Sequence, residues 1–321
     1  MKIKIPTGWI EKLAQYDYKH NKEGLLQQFE GYIKPYTLDR SASLDYPGDW
    51  VLNPMFVNLD NDSENEIIGL FGWSQEHPAL AVFKKIGQSW FLIYLEPFFM
   101  KYQPPELQVA NNFSTNKTFY IRWLYDGGSG IYRDAYHFYK IINNRVYPCL
   151  ELINEARIDG WGLYLNQEVK MKLEFNSANG DNLWVEYDFN FFPGAVYSDD
   201  VPWSVHQNIS FVKGESKGVS YNWDTLTNTY QPYIYAFDTL EGLTKDKIAC
   251  FGAFGNDTLF VKAFRYEIGQ TLKKGSDEQK IQLQKYLDLV KSKKKAVSPK
   301  GGLEEKTQQG GTKFYGTKQN K

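Results

Sequence analysis

The sequence predicts an all-β body, a propeller-like stack of small antiparallel sheets with short N- and C-terminal helices, and a two-sheet β-sandwich is the alternative. Three observations carry this expectation. From about residue 51 to 268 apolar residues alternate with polar ones, the period of a half-buried strand. Nothing between those runs has the length and period of a crossover helix, which argues against a parallel βαβ sheet. When the chain is aligned with itself so that Phe83 falls on Phe138, Lys85, Ile86, Leu95 and Glu96 fall on Lys140, Ile141, Leu150 and Glu151, and Gly72 and Ser74 on Gly127 and Ser129. One hairpin design is used twice, and such units hide their apolar faces only by stacking on one another. At that spacing, the stretch from 51 to 268 holds about four units.

Residues 1 to 50 have a different period. Thr7 caps a predicted helix carrying Trp9, Leu13 and Tyr16, and Asn21 caps a second with Leu25, Leu26, Phe29, Tyr32 and Ile33 on one stripe. Pro35 stops that helix, and Pro47-Gly48-Asp49 with Asn53-Pro54 marks a boundary near residue 50. Strand-like runs follow at 66–71, 79–86, 90–96, 118–125, 135–142 and 146–152, and later at 209–213, 247–251 and 258–264. The clearest hairpin pairs Val169, Met171, Leu173 and Phe175 with Leu183, Val185, Tyr187, Phe189 and Phe191, and charged residues between them face water. A third unit is expected to begin near Leu183. Ser276-Asp277-Glu278 then opens a helix within 269–295, with Leu283, Tyr286, Leu287 and Val290 on its apolar side and acids in its first turn. Residues 296–321 have the Gly-, Gln-, Lys- and Thr-rich composition of a disordered basic tail.

Composition narrows the function classes. The 321 residues hold 37 Lys plus Arg against 38 Asp plus Glu, a net charge of −1, so no whole-chain field favours nucleic acid or an anionic membrane. Residues 273–321 carry 13 Lys and 5 acids, a net of +8, which leaves −9 on the segment from Met1 to Leu272. A run of lysines without interleaved aromatics is the composition of a solvated tether, and no nucleic-acid partner is expected. The longest apolar runs, such as Trp90 to Leu95, fall far short of the roughly 20 residues of a membrane span. No apolar run follows the N-terminal lysines, so no secretory signal is read, and a cytoplasmic or leaderless-exported protein is expected. Cys149 and Cys250 are too few for a disulfide framework or a cysteine zinc site.

The sharpest motif is Asn58-Leu59-Asp60-Asn61-Asp62-Ser63-Glu64-Asn65-Glu66, an oxygen-rich loop running into the apolar Ile67-Ile68. Alternate residues of a tight loop can aim their oxygens at one point, the arrangement that calcium requires. It is not an EF-hand, because Gly69 stands at position 12 and Ser63 at position 6. The loop resembles the FG-GAP/VCBS-type repeats of integrin-like β-propellers, in which such a loop precedes an apolar strand. Gly127-Gly128-Ser129-Gly130 and Tyr136 to Lys140 resemble that repeat's later strands, and the likeness spans residues 51 to 152. It implies calcium held by the side chains of Asn58, Asp60, Asp62 and Glu66 and by the carbonyl of Glu64, with Asn58 and Ser63 departing from the family's Asp and Gly. In the second unit Phe113, Thr115, Lys117 and Ile121 take the ligand positions, so that copy holds no ion.

Other motifs are weaker. Gly127-Gly128-Ser129-Gly130 lacks the Lys-Ser/Thr ending and following helix of a phosphate loop. His20, His77, His137 and His206 have no metal-binding spacing, and no nucleophile elbow surrounds Ser204. Asp199-Asp200, or Asp134 with Asp159, would serve glycoside chemistry only at the separation that chemistry requires. Trp203, Tyr221, Trp223, Tyr230 and Tyr233 crowd a turn-rich stretch and form the candidate aromatic binding face, for a protein or a sugar. The expectation is therefore a non-catalytic, calcium-stabilised interaction protein. A glycan-active hydrolase or carbohydrate-binding protein is one alternative, and a cytoplasmic immunity or adaptor protein is another.

Overall fold

A computed structural model describes residues 2–33, 51–60, 62–72, 78–97, 107–110, 116–128, 131–158, 165–175, 180–194, 209–215, 219–232 and 257–296. The expected run at 247–251, the basic tail from 297 onward, Asp159, Asp199, Asp200, Ser204, His77 and His206 lie outside these residues.

The body is mostly β, as expected, and its strands form two antiparallel sheets. The first contains β1 (Ile3–Ile5), β2 (Val51–Val57), β3 (Glu66–Gly72), β4 (Pro78–Ile86) and β5 (Ser89–Pro97), in the order β1-β5-β4-β3-β2. The second contains β6 (Leu107–Ala110), β7 (Thr118–Gly128), β8 (Ile131–Ile142), β9 (Arg145–Ile158), β10 (Leu165–Phe175), β11 (Asn182–Pro193), β12 (Val212–Glu215), β13 (Val219–Asp224) and β14 (Thr229–Pro232). Its order is β14-β13-β11-β10-β9-β8-β7-β6, with β12 also paired to β11. The α-helices among the described residues are α1 (Thr7–Ala14), α2 (Lys22–Ile33), α3 (Asp257–Ala263), α4 (Arg265–Lys274) and α5 (Asp277–Ala296).

Among the described residues the sheets and helices share three cores. Trp9, Leu13, Leu26 and Phe29 of α1 and α2 pack on Phe71 and Phe83, covering one face of the first sheet. The other face meets the second sheet through Ile68, Leu80 and Val82 against Phe119, Tyr139 and Ile141. Beyond it Phe138, Val185, Phe189 and Phe191 pack under Phe260, Phe264 and Tyr286 of the C-terminal helices. Each of these contacts removes apolar surface from water, which stabilises by about 25 cal/mol per Å² buried. Every residue of β3 is buried, as its unbroken apolar run demands.

The self-alignment that sets Phe83 on Phe138 also carries β2, β3, β4 and β5 onto β6, β7, β8 and β9. Phe83 and Phe138 both face away from the inter-sheet core, each toward its own helical cover. The correspondence slips on the last strand. Leu95 lies opposite Ala81 whereas Leu150 lies opposite Phe138, because the second hairpin turns one position later; each leucine lies beyond a single bulge of its strand. The connecting turns are Gly87-Gln88 and, one position later in register, Asn143-Asn144, where both asparagines have positive φ.

Several expectations are corrected. No third unit begins at Leu183; β10 and β11 extend the second sheet, with Val169 opposite Phe189 and Leu173 opposite Val185, the expected pairing. Among the described residues the strands form two sheets instead of about four units. The run at 258–264 is helical: its Thr, Leu, Phe and Val read as a strand, but Phe260, Ala263 and Phe264 share one buried face at helical spacing. The β region therefore ends before residue 257 and not at 268. The N-terminal segment is not purely helical either, since Ile3–Ile5 pairs with β5. Thr7 is the first residue of α1 and makes no capping bond. Ser276 does open α5, through a reciprocal pair of bonds with Gln279 of 2.9 and 3.2 Å.

Candidate functional site: an acidic loop around a buried lysine

The loop joining β2 to β3 brings together Asp60, Asp62 and Glu66, and β4 delivers a fourth member. On β4 the side chains of Leu80, Val82 and Ile86 point into the inter-sheet core, and Lys84 follows the same alternation. Its ammonium ends between the three carboxylates: Lys84 Nζ donates to Asp60 Oδ1 at 3.0 Å, Asp62 Oδ2 at 2.6 Å and Glu66 Oε1 at 2.5 Å. Lys84 is 2% exposed and Glu66 is fully buried. A buried ammonium needs such partners, since an unpaired one costs several kcal/mol.

The rest of the loop is tied down locally. Glu66 Oε2 accepts the Leu59 N–H at 2.7 Å, Asp62 Oδ1 accepts the Glu64 N–H at 2.8 Å, and Asn58 Nδ2 donates to the Asp62 carbonyl at 2.5 Å. Glu64 turns outward, and its carboxylate pairs with Lys85 at 2.8 Å. Leu59 is buried in the inter-sheet core, and its carbonyl accepts the Lys117 N–H at 2.7 Å, which joins the loop to the approach to β7.

Ionisation follows this geometry. Burial pulls the Lys84 pKa down, but hydrogen bonds to Asp62, Glu66 and Asp60 outweigh it and hold the pKa well above the usual lysine value. The Lys84 hydrogen bond holds Asp62 below its ordinary value. Burial dominates at Glu66 and raises its pKa in spite of Lys84. Of the five residues expected to bind calcium, Asp60, Asp62 and Glu66 place ligand oxygens within 4.8 Å of one another. Asn58 braces the loop and the side chain of Glu64 points away.

The expected aromatic face divides. Trp203 and Tyr233 lie outside the described residues. Tyr230 is 3% exposed, so it is a core residue and no surface platform; its hydroxyl bonds Thr118 Oγ1 at 2.7 Å and the Gly180 carbonyl at 2.6 Å. Trp223 stacks edge-on against it and, with Tyr230, flanks a second buried lysine: Lys140 Nζ lies 4.2 Å from the Trp223 ring centroid and 2.5 Å from Asp181 Oδ1. Tyr221 packs half-buried against the same core. Asp134 is bound by Arg122 Nε at 2.7 Å and Asn154 Nδ2 at 2.9 Å.

Lys84, Lys140 and Arg122 belong to no ligand or catalytic motif in the sequence. The signal at Lys84 was a cation in a position that strand alternation assigns to the core, opposite an acid-rich loop in need of one. No protein-family model matches the chain, and comparison with curated proteins and with solved structures finds no match. No helix among the described residues is long and apolar enough to cross a membrane.

Proposed function

We propose that the protein is a non-catalytic interaction protein whose two blade-like, FG-GAP-resembling units support a binding surface on the C-terminal helices. One observation carries this reading. On α4, Tyr266 is 68% exposed, and it lines an open concavity of about 370 Å³ with Arg265, Gly269, Gln270 and Lys273. An exposed tyrosine sharing a concavity with two cations has the composition of a protein-binding hot spot, and the charge favours an acidic partner surface. The ionisable side chains inside the body serve differently: Lys84, Lys140 and Asp134 each hold two strands or a strand and a loop together.

The test is affinity capture from native cells with the wild type and with a Tyr266→Ala, Lys273→Glu double variant. A partner held by the wild type is expected to be lost from the variant, whose melting temperature stays unchanged. A partner retained undiminished contradicts the reading.

A further inference from the structure

We infer that Lys84 is the resident cation of the acidic loop, occupying the place that calcium takes in the repeats the loop resembles, so that the native protein closes this loop without metal. Stoichiometry is the first support. A lysine ammonium has three N–H donors, and here three carboxylates receive them, at 3.0, 2.6 and 2.5 Å, leaving no donor over. Calcium asks for six to eight oxygens at about 2.3–2.6 Å. The oxygens that would complete such a shell are engaged in the loop itself, Glu66 Oε2 by the Leu59 N–H and Asp62 Oδ1 by the Glu64 N–H.

Displacement is the second support. To admit a metal ion at this centre, the ammonium would have to leave a site where it is 2% exposed, on a strand whose neighbouring inward side chains are Val82 and Ile86. That route strips a charge of its partners in an apolar core. The repeat supplies the third. With Phe83 set on Phe138, Asp60, Asp62 and Glu66 fall on Thr115, Lys117 and Ile121, and Lys84 falls on Tyr139. Acids and lysine are present together in one unit and replaced together in the other, as expected of groups that neutralise one another. Tyr139 keeps the inter-sheet position but donates its hydroxyl to Glu96 at 2.8 Å.

The test compares the wild type with Lys84→Met by thermal melting in EDTA and in excess calcium chloride, with sodium chloride at matched ionic strength, and by calcium titration calorimetry. The wild type is expected to show no saturable calcium heat and the same melting temperature in all three solutions. Lys84→Met is expected to melt lower than the wild type in all three solutions. Should that variant fail to fold, the wild-type arms decide, with Asp62→Asn, at a half-exposed position, expected to lower the melting temperature in EDTA. A wild-type melting temperature that rises with calcium, or a Lys84→Met protein as stable in EDTA as the wild type, overturns the inference.

Discussion

At the scale of single residues, ionisation is set by burial first and by partners second. His137, on β8, has its pKa pushed down to about 3 by burial and then by the nearby charge of Arg133. A histidine kept neutral in the fold and protonated near 6.5 in the unfolded chain favours folding above 6.5, and that contribution is lost as pH falls from 6.5 toward 3. Urea denaturation across that window is expected to show stability declining by about 1.4 kcal/mol per pH unit from this group, and His137→Gln is expected to remove that part of the slope. An unchanged slope in the variant counts against it. In the acidic loop the two perturbed carboxylates act in opposite senses. Asp62, lowered by Lys84, favours folding above its ordinary pKa and loses that contribution in acid, whereas Glu66, raised by burial, favours folding below its ordinary pKa and loses its contribution as pH rises through its folded value. Their opposing senses leave His137 as the group to read first on the acid limb.

At the scale of elements, backbone proximity decides where side chains are tolerated. Gly69 lies in the middle of β3, and a Cβ there would meet the Asn53 carbonyl oxygen of β2 at 2.5 Å, a backbone atom held in the ladder. Gly31, in α2, has open space around its would-be Cβ. Gly69→Ala is expected to destabilise by about 1–3 kcal/mol, and Gly31→Ala to stabilise by about 0.5–1 kcal/mol, both read from urea midpoints. Equal effects in the two variants would contradict this account. The β10–β11 hairpin was legible in the sequence because one of its faces is wet: Lys170 and Lys172 alternate with Val169, Met171 and Leu173, and the observed register follows that pattern. Residues 258–264 misled because β-branched and aromatic composition does not separate a strand from a short buried helix; contacts with Phe191 and Tyr286 do, and those residues are distant in sequence. The acidic loop was legible as a cation site, but the identity of its cation was not, since Lys84 lies well beyond Glu66 in the chain and meets it only when β3 pairs with β4.

At the scale of the whole molecule, the charged cluster matters because of what the loop holds. Lys84 fixes Asp60, Asp62 and Glu66; Glu66 fixes the Leu59 N–H; and Leu59 enters the inter-sheet core while its carbonyl takes a hydrogen bond from Lys117. One side chain thus connects the first sheet to the start of the second. Removing a single partner from such a buried ionic cluster costs about 3–5 kcal/mol, because the charges left behind have nowhere to go. The fold is a sequence of layers, helices, sheet, sheet and helices, and the cluster sits beside the central contact. The most direct measurement is a high-resolution crystal structure of the wild-type protein grown in excess calcium. Lys84 Nζ is expected within about 3 Å of Asp60, Asp62 and Glu66, with no metal between them. A calcium ion at about 2.4 Å from those carboxylates, with the Lys84 side chain turned away, would contradict it.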